Sequence, residues 1–141
     1  MKNTLTAISN KATVTIGVAS SFIINMMGGW GQDIQTLLIF MTIDYIMGVS
    51  NAVLYKTSPK SENGALNSKV GLIGICKKLM LLTMVIVGHR IDVTFGFDYV
   101  RGGVCVTLII NELVSMMETW KLSGIKTPQV INDIIDVINK K

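Results

Sequence analysis

Apolar residues fall along this chain in four long runs and one short periodic one. Ala12 to Trp30, Ile34 to Tyr55, Val70 to Gly88 and Val104 to Trp120 each approach the roughly 20 mainly apolar residues that a transmembrane helix needs. The first run is clean, but the second holds Asp44, the third Lys77 and Lys78, and the fourth Glu112. The pattern predicts an all-α integral membrane protein with about four transmembrane helices. Three is the alternative count, with the third or fourth segment lying at the interface. Near the end, Thr127 is placed to cap a helix opening at Pro128. At about 100° per residue, Val130, Ile131, Ile134, Ile135, Val137 and Ile138 fall in one arc, with Gln129, Asn132, Asp133, Asp136 and Asn139 opposite. Residues 1–126 are therefore read as the membrane unit and 127–141 as a cytoplasmic amphipathic helix. Its polar face carries aspartates, which favours docking on protein, or on another copy of the tail, over adsorption to anionic lipid.

The polar residues inside the runs are grouped. On the second helix Asp44, Gly48, Asn51 and Tyr55 form a narrow stripe, and Gly48 and Ala52 give a small-xxx-small spacing for close helix approach. Extended to Asp92, the third helix gathers Gly71, Gly74, Lys77, Lys78, Gly88, His89 and Asp92 into about one third of its circumference. Thr107, Asn111, Glu112, Ser115, Glu118 and Thr119 share an arc on the fourth. A charge near the bilayer centre costs about 2.5 to 3.5 kcal/mol, so such groups face protein or water. Two readings follow. Asp44 and Glu112 pair with Lys77 or Lys78 in a compact bundle, or the polar stripes form a surface that is hydrated in some state of the protein. The two are compatible if pairing holds a closed state that later rearranges. Asn51 and Asp92 belong to the same polar set, and Gly48, Ala52, Gly71 and Gly74 to the expected packing surface.

Composition supports the membrane reading. Half of the 141 residues are hydrophobic and 16% are charged, against roughly 25% charged in an ordinary soluble domain, and mean hydropathy is +0.52. A soluble domain of this size leaves roughly 30% of its chain surface exposed and could not hide so much apolar surface. The net charge of +4 is not gathered into a patch with interleaved aromatics, so nucleic acid is not an expected partner. Basic residues instead report topology. With four spans, Lys2, Lys11, Lys56, Lys60, Lys69, Lys121, Lys126, Lys140 and Lys141 lie on one side and only Arg90 and Arg101 on the other, which puts both termini in the cytoplasm. The opening segment is too long for a signal-peptide core of about 7 to 15 residues, and no small-x-small cleavage site ends it. A retained first span is expected. Of the two connectors with turn-rich composition, residues 56–69 hold Pro59 and Gly64, and "FGFDYVRGG" brings aromatic residues suited to an interfacial belt.

Candidate chemistry is sparse. Cys76 and Cys105 each lie in an apolar stretch without a second cysteine nearby, so both read as small buried thiols rather than a disulfide or metal pair. No Gly-rich phosphate loop, HExxH motif or Ser/His/Asp constellation is present, and His89 and Arg90 read as interfacial anchors. No catalytic residue, metal or cofactor is expected, and the chain is not expected to be an enzyme.

"DYIMGVSNAVLYK" followed by "NSKVGLIGICKKLMLLTMVIVGHRID" resembles the toxin-secretion and phage-lysis holin family. The shared pattern is an acidic residue and a glycine in one helix (Asp44, Gly48), a loop ending in Ser68, glycines before a basic pair (Gly71, Gly74, Lys77, Lys78), and Asp92 at the far end. "NELVSMMETWKLSGIKTPQVINDII" is similar to the family's end, so the resemblance runs from about Ile34 to Ile138 and leaves the first span unmatched. It implies a homo-oligomer of the bacterial cytoplasmic membrane that opens lesions at a set time. Through them an endolysin, with no required direct contact, or a large toxin leaves the cell; a separate antiholin is a further partner such a system admits. From other classes, a static membrane anchor or complex subunit and a small ion channel or transporter are the competing readings.

Overall fold

The computed structural model describes residues 1–55 and 68–140. Its elements are α1 (Lys2–Met26), α2 (Gln32–Ser50) running on into a π-helical turn (Asn51–Tyr55), α3 (Ser68–Phe95), α4 (Val100–Leu122) and α5 (Gln129–Asn139). Among the described residues there is no strand. Four segments are long and apolar enough to cross a membrane: Thr6–Met26, Gln32–Leu54, Ser68–Phe95 and Val100–Leu122. All four apolar runs of the sequence thus lie largely in helices of spanning length, as the four-span count expects. The helices overrun the apolar runs: α3 continues to Phe95 because Gly88, His89 and Asp92 keep to the packed side instead of ending it. Most of the connector at 56–69 lies outside the described residues.

A three-helix bundle of α2, α3 and α4 carries the core, with α4 packed against both of the others. Met27, Ile34, Leu37, Met41, Val85, Cys105 and Leu108 form one buried apolar cluster. α1 stands apart from it, with none of its span buried and its main contact made to α3. The chain returns from α1 through Gly28 and Gly29, both at positive φ (+89° and +95°). At Gly28 a Cβ would lie 2.7 Å from His89 Nδ1 and 2.9 Å from Arg101 Nε, so glycine is needed for space as well as for backbone conformation.

α2 and α4 run in the same direction and α3 against them. Their register is fixed by polar contacts 68 residues apart at two levels: Asp33 with Arg101, and Asn51 with Thr119. Asp44 and Glu112 keep the same offset, each 34 residues from the Lys78 that joins them. Both helices therefore repeat one spacing, 11 residues and then 7, which is close to three turns and two turns. That spacing returns each polar group to one face.

At the Arg101 end, Asp92 holds the start of α4. Its Oδ1 accepts from Val100 N at 3.0 Å and its Oδ2 from Arg101 N at 2.8 Å, a carboxylate set against the positive end of the helix dipole. Phe95, Phe97 and Tyr99 stack with ring centroids 6.0 and 5.4 Å apart and stand exposed beside it, the arrangement expected of an interfacial belt.

Two expectations are corrected here. Thr127 does not cap α5: its hydroxyl is buried without a hydrogen-bond partner, and Pro128 O accepts from Ile131 N and Asn132 N instead. Cys76 is exposed on the outside of α3, while Cys105 is buried; position on the helix, not the apolar run, decides burial. On α5, Ile135 is buried and Ile131 half-buried, whereas Val130 and Ile134 remain exposed. The side chains of Tyr55 and Ile138 lie outside the described residues.

Candidate functional site

Asp44 is twelve residues past Gln32, and Glu112 twelve past Val100, so each carboxylate sits at mid-length of its span. Lys78 of α3 reaches between them. Its Nζ donates to Asp44 Oδ2 at 2.9 Å and to Glu112 Oε2. The carboxylates are buried, with side-chain exposures of 7% and 3%, and the lysine is 19% exposed. Three helices thus meet at one ammonium. Removing the ammonium would leave two carboxylates uncompensated in a low-dielectric interior, where an unpaired ion costs several kcal/mol. Two carboxylates against one lysine leave the cluster with a formal charge of −1.

The sequence left open which lysine pairs. Lys77, about 100° round the helix from Lys78, is exposed and makes no ion pair among the described residues. Asn51, the next polar group along α2, is 4% exposed and joins α4 rather than the charge cluster. Its Nδ2 donates to Thr119 O at 3.0 Å, and its Oδ1 accepts from Ser123 Oγ at 2.6 Å. Asp92 lies at the far end as the α4 cap and does not reach the cluster.

The packing residues redistribute. Ala52 is buried, and a Cβ at Gly71 would meet only Tyr45 Oη at 3.5 Å, an ordinary contact. Nothing lies within 4 Å of a Cβ placed at Gly48 or Gly74, so neither brings helices of this chain together. Gly88 does: its Cβ would stand 3.2 Å from Arg101 Cα and 3.3 Å from Val104 Cγ2. Small spacing on one helix cannot say which side another helix approaches.

One group went unseen in the sequence. Arg101 donates through Nε to Met27 O at 2.6 Å and pairs through NH1 with Asp33 Oδ2 at 3.1 Å, closing the end of α1 onto α2 and α4. Read as loop charge, it looked like a topology marker only. The signal that would have found it is the repeated spacing, because Asp33 precedes Asp44, and Arg101 precedes Glu112, by the same 11 residues.

The fold and this cluster define the class: a multi-pass membrane protein built round charges buried among its spanning helices. Comparison with known proteins supplies the family. The bacteriophage holin family matches residues 21–140, and the chain belongs to it. That family is one of membrane proteins without enzymatic activity. The uncharacterized protein Lmo0128 of Listeria monocytogenes is 31% identical, over 77% of this chain and 72% of its own. An uncharacterized protein of Halalkalibacterium halodurans is 29% identical over 90% of each chain. An uncharacterized 14.9 kDa protein encoded in the nagH 3′ region of Clostridium perfringens is 28% identical over 91% of this chain and 90% of its own. No solved structure matches the chain.

Proposed function

We propose that this chain oligomerises in the bacterial cytoplasmic membrane and opens lesions through which an endolysin, or a large toxin, leaves the cell at a set time. The observation that carries this reading is the Lys78, Asp44 and Glu112 cluster at mid-span in a holin-family chain. Charges held there are stable only while the bundle excludes lipid from them, or while water reaches them. A subunit alone satisfies the first condition. An assembly of subunits around a hole satisfies the second, with the polar stripes turned toward water. Both termini are cytoplasmic in this reading, with nine lysines inside against two arginines outside. Contact with the endolysin is not required, and an antiholin would act on the assembly.

Expression of the chain alone in bacteria tests it. A lesion-forming protein arrests growth abruptly and releases a co-expressed cytoplasmic enzyme of about the size of a typical single domain or larger. Passage of ions without enzyme points to a channel or transporter. Neither effect points to an anchor or a subunit of a larger complex.

A further inference from the structure

Lys69, Arg90 and Lys121 are exposed toward the ends of the α3 and α4 spans, and two charges of opposite sign face outward nearer mid-depth. Lys77 on α3 and Glu118 on α4 are both exposed, and neither makes an ion pair among the described residues. Asn111, at mid-length of α4, is also exposed and makes no side-chain hydrogen bond among them. Thr107 continues the same α4 stripe one turn away, its hydroxyl already donated to Gly103 O. The α3 surface beside Lys77 is apolar, with Met80 and Met84 70% and 50% exposed. In hydrocarbon, neither the ammonium nor the carboxylate nor the amide is stable without a partner.

We propose that the α3 face bearing Lys77 on one copy packs against the α4 face bearing Asn111 and Glu118 on the next. The depths agree. The Lys78 ammonium is level with the Glu112 carboxylate because they are paired. In a second copy lying the same way in the membrane, Lys77 therefore falls between Asn111, about 3 Å to one side, and Glu118, about 7.5 Å to the other. Side chains lean toward the N-terminus of their own helix. α3 and α4 run in opposite directions, so an extended Lys77 side chain reaches on toward the level of Glu118, and an extended Glu118 reaches back toward it. The ammonium pairs with the Glu118 carboxylate, while Asn111, about 10.5 Å away along α4, flanks the contact on its other side. The two faces are different patches of one chain, so the contact is head-to-tail and repeats until a ring closes or a filament grows. This interface rests on the reading that the chain self-assembles, and it names the surfaces that do so.

Disulfide trapping in bacterial membranes tests it with the full chain. In a C76S/C105A background, one tagged copy carries Met84→Cys and a differently tagged copy carries Thr107→Cys. Oxidation should give mainly the mixed adduct. Lys77→Glu on the first copy, or Glu118→Lys on the second, should lower its yield about tenfold, the change expected on losing one charge-assisted contact. Both changes together should restore it, which separates lost pairing from failed insertion. Predominance of like-with-like adducts, or a mixed adduct indifferent to all charge changes, would overturn the interface. Enzyme release from the same cells keeps the two ideas apart. Release without the adduct sinks only the interface; the adduct without release sinks only the lesion reading.

Discussion

Replacing Lys78 by methionine should destabilise the bundle far more than replacing Asp44 by asparagine, although each removes one charge from the same cluster. Lys78→Met changes the formal charge from −1 to −2 and leaves two carboxylates, 7% and 3% exposed, beside each other without a cation. Breaking a buried pair in this way costs about 3 to 5 kcal/mol. Asp44→Asn loses one charge-assisted hydrogen bond, about 1.5 to 3 kcal/mol. It also removes a surplus mid-span charge, whose presence costs about 2.5 to 3.5 kcal/mol. The two terms nearly cancel, and Lys78 keeps Glu112. The expected gap of about 3 kcal/mol between the variants is more than a hundredfold in the folded-to-unfolded ratio. Protease resistance of the purified chain in detergent micelles, followed with temperature, measures it. Equal resistance of the two variants would refute the assignment of Lys78 as the counter-ion. The triple variant K78M/D44N/E112Q should recover most of the loss, because an uncharged interior needs no counter-ion.

The same charge count bears on voltage. A net charge of −1 at mid-depth senses about half of the membrane potential, or about 1.2 kcal/mol per 100 mV. Asp44→Asn and Glu112→Gln each bring the cluster to neutrality, so if the chain opens lesions as proposed, any advance of enzyme release by a depolarising agent in the parent chain should be lost in these variants. Gly88→Val should cost about 1 to 3 kcal/mol by overpacking against the Arg101 backbone and Val104. Gly74→Ala, with open space around it, should be neutral or stabilising by up to about 1 kcal/mol; thermal denaturation in micelles compares the pair.

The four spans were legible because apolar runs of that length have few alternatives, and Asp44, Lys78 and Glu112 because a charge inside such a run is conspicuous. What one sequence does not carry is azimuth between helices. Lys77 and Lys78 are adjacent and alike, and only the direction from which α2 and α4 approach α3 sends one inward and the other out. The same ignorance hid Gly88 behind Gly48 and Gly74. The register of α2 on α4 was nearer the surface, since the 11 and 7 spacing from Asp33 to Asn51 recurs from Arg101 to Thr119. It becomes meaningful only once those two helices are known to be parallel neighbours.

The distribution of contacts along the bundle says where it would begin to open. The most deeply buried side chains, Ile34, Leu37, Val85 and Cys105, lie between the ion cluster and the Arg101 end. That end is further tied by Asp92 holding two backbone N–H groups of α4 and by Arg101 holding Met27 O. Beyond the cluster, toward Asn51, the first ten residues of α3 contribute no buried side chain, and Leu72, Ile73 and Ile75 are exposed. Local opening starts where buried apolar contacts are fewest. Lys78 is the ion-paired tie between α3 and both of its neighbours at the edge of this thinly packed half, and α3 should part from α2 and α4 there while the Arg101 end holds. Amide hydrogen exchange in micelles should show residues 71–77 exchanging well before 85–92, with Lys78→Met spreading the fast region toward Leu82 and Asp44→Asn leaving it in place. Uniform protection along α3 in the parent chain would mean that the helix moves as one body and that the cluster is not its hinge.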